Sequence, residues 1–254
     1  MKKAVLLFVV LWSFVTAQAQ DQKNVLSGIN RQQAEAIIGF LASDAMKGRE
    51  AGSDEGRIAG EYLASKFKEI GLQPLNDSYF QNFEAVQPAS KKSTRWYTKP
   101  DSVSAYKNKG LVRSLKLRNV VGYIPGKLSN EFVIVGAHYD HLGEDKSIPG
   151  DGIFNGADDN ASGVSAVLQI AKAFKQNGTT PLRTVIFALW DGEEKGLLGS
   201  QYFTSVYPEI KNVKSYLNFD MIGRNTNEAK PAHVVYFYTK AHPAFGTWLK
   251  DDVK

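Results

Sequence analysis

Apolar positions in residues 31–43, "RQQAEAIIGFLAS", and 55–70, "EGRIAGEYLASKFKEI", recur every three or four residues, the spacing that gathers them on one helix face. Gly71 directly follows the second run, at the place where a glycine ends a helix. Two amphipathic helices are therefore predicted, with "DAMKGREAGSDEG" (44–56) between them as a loop rich in glycine and charge. From residue 119 the pattern changes to short β-branched runs: "NVVGYI" (119–124), "FVIVGA" (132–137), "TVIFALW" (184–190), "SYLNF" (215–219) and "VVYFY" (234–238). Several are continuous rather than alternating, as expected of strands covered on both faces.

Between the second and third runs lies "ASGVSAVLQIAKAFK" (161–175), whose Val164, Val167, Leu168, Ala171 and Phe174 form one helical stripe, and "GLLGSQYFTSVY" (196–207) is a further predicted helix. This alternation predicts an α/β fold: a mixed, mostly parallel central sheet with helices on both faces, a three-layer sandwich. The runs at 119–124 and 132–137, joined by "PGKLSN", predict an antiparallel hairpin. The basic stretch 91–118 interleaves aromatics without sustained periodicity and reads as a long excursion beside the core. No internal repeat is visible.

At 254 residues and 43% hydrophobic content, the chain can build one substantial core, so residues 20–254 are read as one domain. Residues 1–19 stand apart. "MKK" is a charged start, "AVLLFVVLWSFV" is short for a bilayer span, and "AQA" offers a small-residue cleavage site. The segment predicts a secretory signal cut after Ala19, and hence a periplasmic or extracellular protein. The absence of cysteine excludes disulfides and cysteine-linked lipid, so no stable membrane anchor is expected. The formal charge of +5 falls to about +3 without Lys2 and Lys3, too small an excess to indicate nucleic acid as a partner.

In open α/β sheets, ligands collect beyond the carboxyl ends of the strands. There "FVIVGA" leads into His138 and Asp140, "TVIFALW" into Glu193 and Glu194, and "SYLNF" into Asp220, while "GADDNASG" (156–163) puts Asp158 and Asp159 at the head of a helix. Taken singly, each has an ordinary explanation: Asp159 or Asn160 as a helix cap, His138 as a core histidine, the glutamate pair as a solvated turn, Asp220 as a strand end. Taken together, an imidazole and several carboxylates at one sheet edge would repel one another without a cation. A divalent metal supplies it; mixed histidine and carboxylate ligands favour zinc, with cobalt and manganese also compatible. Asp140, two residues after His138, suits a carboxylate that orients a ligating imidazole.

The segments "HYDHLG" (138–143), "NGADDNASG" (155–163), "WDGEEKGLLGS" (190–200) and "NFDMIGR" (218–224), with "MKGREAGSDEG" (46–56) upstream, resemble the co-catalytic di-zinc exopeptidases. That family includes secreted bacterial aminopeptidases and glutamate-carboxypeptidase relatives, and the resemblance runs from about residue 30 to the end of the chain. It implies two Zn2+ ions, with His138 and Asp220 on one, Glu194 on the other and Asp159 bridging both. Glu193 would be the general base and Asp158 a supporting or capping neighbour. The implied substrate is a peptide, attacked by a metal-activated water whose proton the base receives.

The resemblance further implies a histidine for the zinc held by Glu194, well downstream of Asp220. Only His233 and His242 follow Asp220; His233 precedes its predicted strand and falls at the wrong edge, while His242 is better placed. The expectation is that this ligand lies beyond Lys254 and that the chain is truncated, with the fragment's own activity in question. The leading expectation is a metallo-aminopeptidase. A glutaminyl-cyclase-like or carboxypeptidase-like relative and a non-catalytic binding ectodomain are the alternatives. Side-chain preference and oligomeric state are not legible.

Overall fold

The computed structural model describes residues 29–89, 93–110, 112–225, 229, 235–237 and 246–247. The predicted signal segment, His233, His242 and the two ends of the run at 234–238 lie outside them; its described part, residues 235–237, is not in a strand, contrary to expectation. The described residues fall into two units divided between Gly223 and Arg224. In the second, the Tyr236 hydroxyl donates to Gly246 O.

Helix α1 (Arg31–Leu41) begins where Asn30 Oδ1 accepts the Gln33 N–H at 2.8 Å, and α2 (Asp54–Ile70) where Ser53 Oγ accepts the Gly56 N–H at 2.9 Å. Gly71, at φ +83°, closes α2 with its N–H shared between Phe67 O and Lys68 O, as the spacing predicts. The connection between the helices is more ordered than its composition suggests: Asp44–Arg49 forms a 3₁₀ turn whose Met46 and Arg49 are buried.

After β1 (Gln73–Pro74) come β2 (Phe80–Pro88), helix α3 (Pro100–Asn108), β3 (Val112–Ile124) and β4 (Leu128–His138). A short ribbon of β5 (Gly143–Glu144) and β6 (Ile153–Phe154) precedes a π-helical turn (Ala157–Ser162) and α4 (Gly163–Asn177). Strand β7 (Arg183–Trp190), α5 (Leu198–Val206) and β8 (Val213–Asn218) complete the unit. The six-stranded sheet runs β1-β3-β7-β4-β8, with β2 also on β3. Strands β7, β4 and β8 are mutually parallel, and β1, β2 and β7 run antiparallel to β3, so the sheet is mixed as expected.

The predicted hairpin between 119–124 and 132–137 does not form. Strand β7 lies between β3 and β4, pairing Val120 with Leu189 on one side and Val135 with Phe187 on the other. The reason lies in β7 itself, where every residue but Arg183 is buried. A strand apolar on both faces gains most in the middle of a sheet. The linker after β3 therefore crosses the start of β7, with Lys127 and Leu128 N–H donating to Pro181 O and Leu182 O. Gly126 permits this close crossing, because a β-carbon there would lie 2.2 Å from Arg183 C.

The stretch 91–118 is likewise more regular than predicted, since it holds α3 and the first half of β3. Strand β2, not foreseen, pairs with that half from Phe80–Val120 to Pro88–Val112. Their shared face packs Phe83, Ala85 and Leu117 against Leu198 of α5.

Alternation along β7 divides the core into two layers. Val185, Phe187 and Leu189 face α1, α2 and α4 through Leu41, Leu63, Phe67 and Val167, whereas Ile186, Ala188 and Trp190 face Phe203 of α5. Of the stripe predicted for α4, Val164, Val167, Leu168 and Ala171 are buried and Phe174 packs against the same layer. The register pairs His138 with Trp190 and Gly136 with Asn218, so β4, β7 and β8 end at one sheet edge.

Candidate metal centre

His138 is the last residue of β4 and is buried. Its Nδ1 lies 3.1 Å from Asp140 O, and since a carbonyl only accepts, the ring proton sits on Nδ1. That leaves Nε2 facing Asp159 Oδ1 at 3.1 Å and Asp220 Oδ1 at 3.6 Å, the atom a metal ion would take in place of a proton. Burial alone would lower the His138 pKa, but Asp140, Asp220 and Glu193 outweigh it and push it up to about 11.

The π-helical turn separates the two tasks that its neighbouring polar residues compete for. Asn160 Oδ1 accepts the Gly163 N–H, the first of α4, at 3.0 Å, and its Nδ2 donates to Phe219 O at 2.9 Å, so Asn160 satisfies the start of the helix. Asp159 is left to face the histidines. Asp158 accepts the Gly223 N–H at 2.7 Å, and Ser162 Oγ accepts the Ile222 N–H at 3.1 Å, which ties the residues following Asp220 to the same turn.

Beyond β7 the chain turns through Gly192 and Gly196, both at positive φ, and presents Glu193 and Glu194. Buried Asp140 holds this turn: Oδ1 accepts the Glu193 N–H at 2.9 Å and Oδ2 the Glu194 N–H at 3.3 Å. The same carboxylate stands 3.7 Å from His138 Nδ1, so Asp140 orients the imidazole through its backbone carbonyl and the glutamates through its side chain. Glu193, half-buried, has its pKa raised by burial and by Asp140, Glu194 and Asp220, against the lowering effect of His138.

One residue of "HYDHLG" that sequence reasoning passed over joins the cluster. His141 Nδ1 lies 2.7 Å from Glu194 Oε1 and 4.0 Å from Asp159 Oδ1. The signal for it was a second histidine three residues after the first, overshadowed by the search for a ligand downstream of Asp220.

Donor atoms therefore gather in two groups sharing Asp159: His138, Asp159 and Asp220, and His141, Asp159 and Glu194, each within 4.8 Å of one another. A tetrahedral ion with ligands near 2.1 Å spaces its donors by about 3.4 Å. The 3.1 and 3.6 Å separations of the first group match that spacing, and the 2.7 and 4.0 Å separations of the second bracket it. Imidazole nitrogen with carboxylate oxygen is also the donor chemistry that zinc accepts, so both groups suit a divalent ion.

The pattern of Peptidase family M28 matches residues 119–253, more than half of the chain. A probable leucine aminopeptidase of Arthroderma otae is 32% identical over 167 residues, covering 63% of this chain and 44% of its own length. A probable zinc metalloprotease of Pyrenophora tritici-repentis is 27% identical over 217 residues, covering 82% and 45% respectively. Among solved structures, the aminopeptidase from Aneurinibacillus sp. strain AM-1 superposes with a TM-score of 0.55 at 17% identity, covering 80% of this chain and 73% of that one. The chain spans less than half the length of the curated relatives it matches. On its sequence match, and with the fold and the ordered motifs agreeing, the chain belongs to Peptidase family M28.

Proposed function

We propose that this chain carries the catalytic centre of a zinc-dependent aminopeptidase that removes N-terminal residues from peptides. One observation carries the reading: the carboxyl ends of three parallel strands and the head of α4 bring His138, His141, Asp159, Glu194 and Asp220 together beside Glu193. The names of the relatives, a leucine aminopeptidase and a zinc metalloprotease, point the same way.

Two zinc ions are proposed. His138, Asp159 and Asp220 would hold one; Asp159 and Glu194 would hold the other, with His141 in the place of the nitrogen donor expected downstream. Zinc bound there supplies a Lewis acid for the scissile carbonyl and a lowered pKa for the attacking water. Glu193 takes that water's proton and delivers it to the departing amine, and its raised pKa suits a group that must both accept and release. Asp140 keeps the two glutamates in their separate orientations throughout. We further propose export, supported by the charged, apolar and small-residue segments in order at residues 1–19.

The test is hydrolysis of unblocked and N-acetylated peptides by the purified protein, with zinc measured on the same sample. Release of free N-terminal residues from unblocked peptides only, abolished by chelation and restored by zinc, is the expected result. A protein that retains no zinc, or that forms pyroglutamate from N-terminal glutamine without releasing amino acids, would overturn the reading.

A further inference from the structure

Among the described residues, Arg49 is the largest of the fully buried side chains, at 0% exposure, and it has no role in the chemistry above. A buried guanidinium normally requires a carboxylate partner. Here its donors go to backbone carbonyls: Nε to Tyr139 O at 3.0 Å, Nη1 to Leu41 O at 2.5 Å and Asn155 O at 2.6 Å, and Nη2 to Gly156 O at 3.0 Å.

The choice of carbonyls is informative. Tyr139 sits between His138 and Asp140, and Asn155 with Gly156 leads into Asp158 and Asp159. Arg49's own carbonyl accepts the His141 N–H at 3.2 Å. One residue thus holds, from beneath, both segments that bear the shared ligand set. The approach is close: a β-carbon on Gly156 would lie 2.6 Å from Arg49 Nη2 and 2.4 Å from Asp159 O. Arg49 itself is held at φ +49°, in a region that disfavours side chains, after Lys47 and Gly48, which are also at positive φ.

We propose that Arg49 is a positioning residue for the metal centre, a buried fork that registers the His138–His141 segment against the segment leading to Asp159. The inference rests on the metal reading proposed above. Burial lowers the Arg49 pKa to about 10, against Asp140, Asp159 and Glu194, so the side chain stays charged at neutral pH. Its charge alone would oppose a bound cation. Only its geometry would favour one, and the two roles therefore predict opposite effects on zinc affinity. Lysine keeps the charge and loses the fork.

The experiment compares the parent protein, Arg49→Lys and Leu63→Ala, the last being a core truncation in α2 that lowers stability without touching the centre. Zinc affinity by chelator competition, the visible spectrum of the cobalt-loaded protein and Tm are read on each. Arg49→Lys is expected to weaken zinc binding by about 10–100-fold and to alter the cobalt spectrum, the size typical of losing a partner that orients ligands. Leu63→Ala should lower Tm and leave both unchanged. Should Arg49→Lys not yield folded protein, Arg49→Gln, which loses the fork and also the charge that opposes a cation, carries the same expectation. Parental zinc affinity and cobalt spectrum in the fork variant, with only Tm reduced, would overturn the inference. A parent protein without zinc affinity would overturn the metal reading beneath it.

Discussion

Asp140 Oδ1 accepts the Glu193 N–H at 2.9 Å while Oδ2 accepts the Glu194 N–H at 3.3 Å. A carboxylate just past the end of β4 thus sets the backbone just past the end of β7. The adjacent strands are in register at His138 and Trp190, and the clamp extends that register into the loops where side chains meet. Asp140→Asn replaces one acceptor with an N–H2 that faces a backbone N–H. We expect zinc affinity to fall by about 10–100-fold with the fold retained, read by chelator competition and circular dichroism. Unchanged affinity would remove Asp140 from the support of the centre.

Glu193 and Glu194 should differ in what they lose. Glu193→Gln is expected to keep its zinc and lower kcat by about 10²–10⁴-fold, the range for removing a general base. Glu194→Gln is expected to lose zinc from one position. Metal content and turnover measured on the same samples separate the two, and equal loss of zinc in both would refute the division.

The two histidines should empty different positions. His141→Ala removes the imidazole 2.7 Å from Glu194 and should weaken one zinc equivalent, leaving the equivalent held by His138, Asp159 and Asp220. His138→Ala should give the converse. Stepwise zinc titration reads this directly; two full-affinity equivalents in His141→Ala would place that histidine outside the coordination.

Asp191 gives a stability signature in pH. Burial, then the charge of Asp140, raises its pKa from 3.8 to about 7. Between those values the folded chain holds a proton that the unfolded chain has released, so stability falls as pH rises through this window. By pH 8 the charged form costs up to about 4 kcal/mol. Asp191→Asn retains an oxygen for the Arg118 N–H, which the carboxylate accepts at 3.0 Å, and removes the charge. In the metal-free protein its Tm advantage over the parent should grow from pH 4 to pH 8. A difference independent of pH would argue against a protonated Asp191 in the fold.

The crossing over β7 can be tested at Gly126. Alanine there must displace the Arg183 backbone and should cost about 1–3 kcal/mol. Gly39→Ala, in α1 with nothing within 4 Å of the added carbon, should instead stabilise by about 1 kcal/mol. Denaturant unfolding compares them, and a neutral Gly126→Ala would contradict the strand order β3-β7-β4.

Local signals were legible wherever the physics is local. Helical spacing marked α1, α2 and α4, the cap at Gly71 followed from residue type, and the unbroken run of β7 announced a strand covered on both faces. The positions of His138, Glu193, Glu194 and Asp220 followed from their place at strand ends, because a parallel sheet delivers all such ends to one edge. Strand β2 was harder, since its partner lies well downstream, from Pro88 with Val112 to Phe80 with Val120, and its own pattern alternates only in part.

The sequence by itself determined the α/β class, the sheet edge where chemistry collects and most of the carboxylates there, since hydrophobic period and motif order are properties of neighbouring residues. Only the tertiary structure decided that β7 separates β3 from β4, that Asp140 clamps the glutamates, that His141 meets Glu194 and that Arg49 lies beneath them. These depend on which loops are brought together by burying two faces of one sheet. A hydrogen bond between residues 90 or 106 positions apart leaves no periodic trace in either segment.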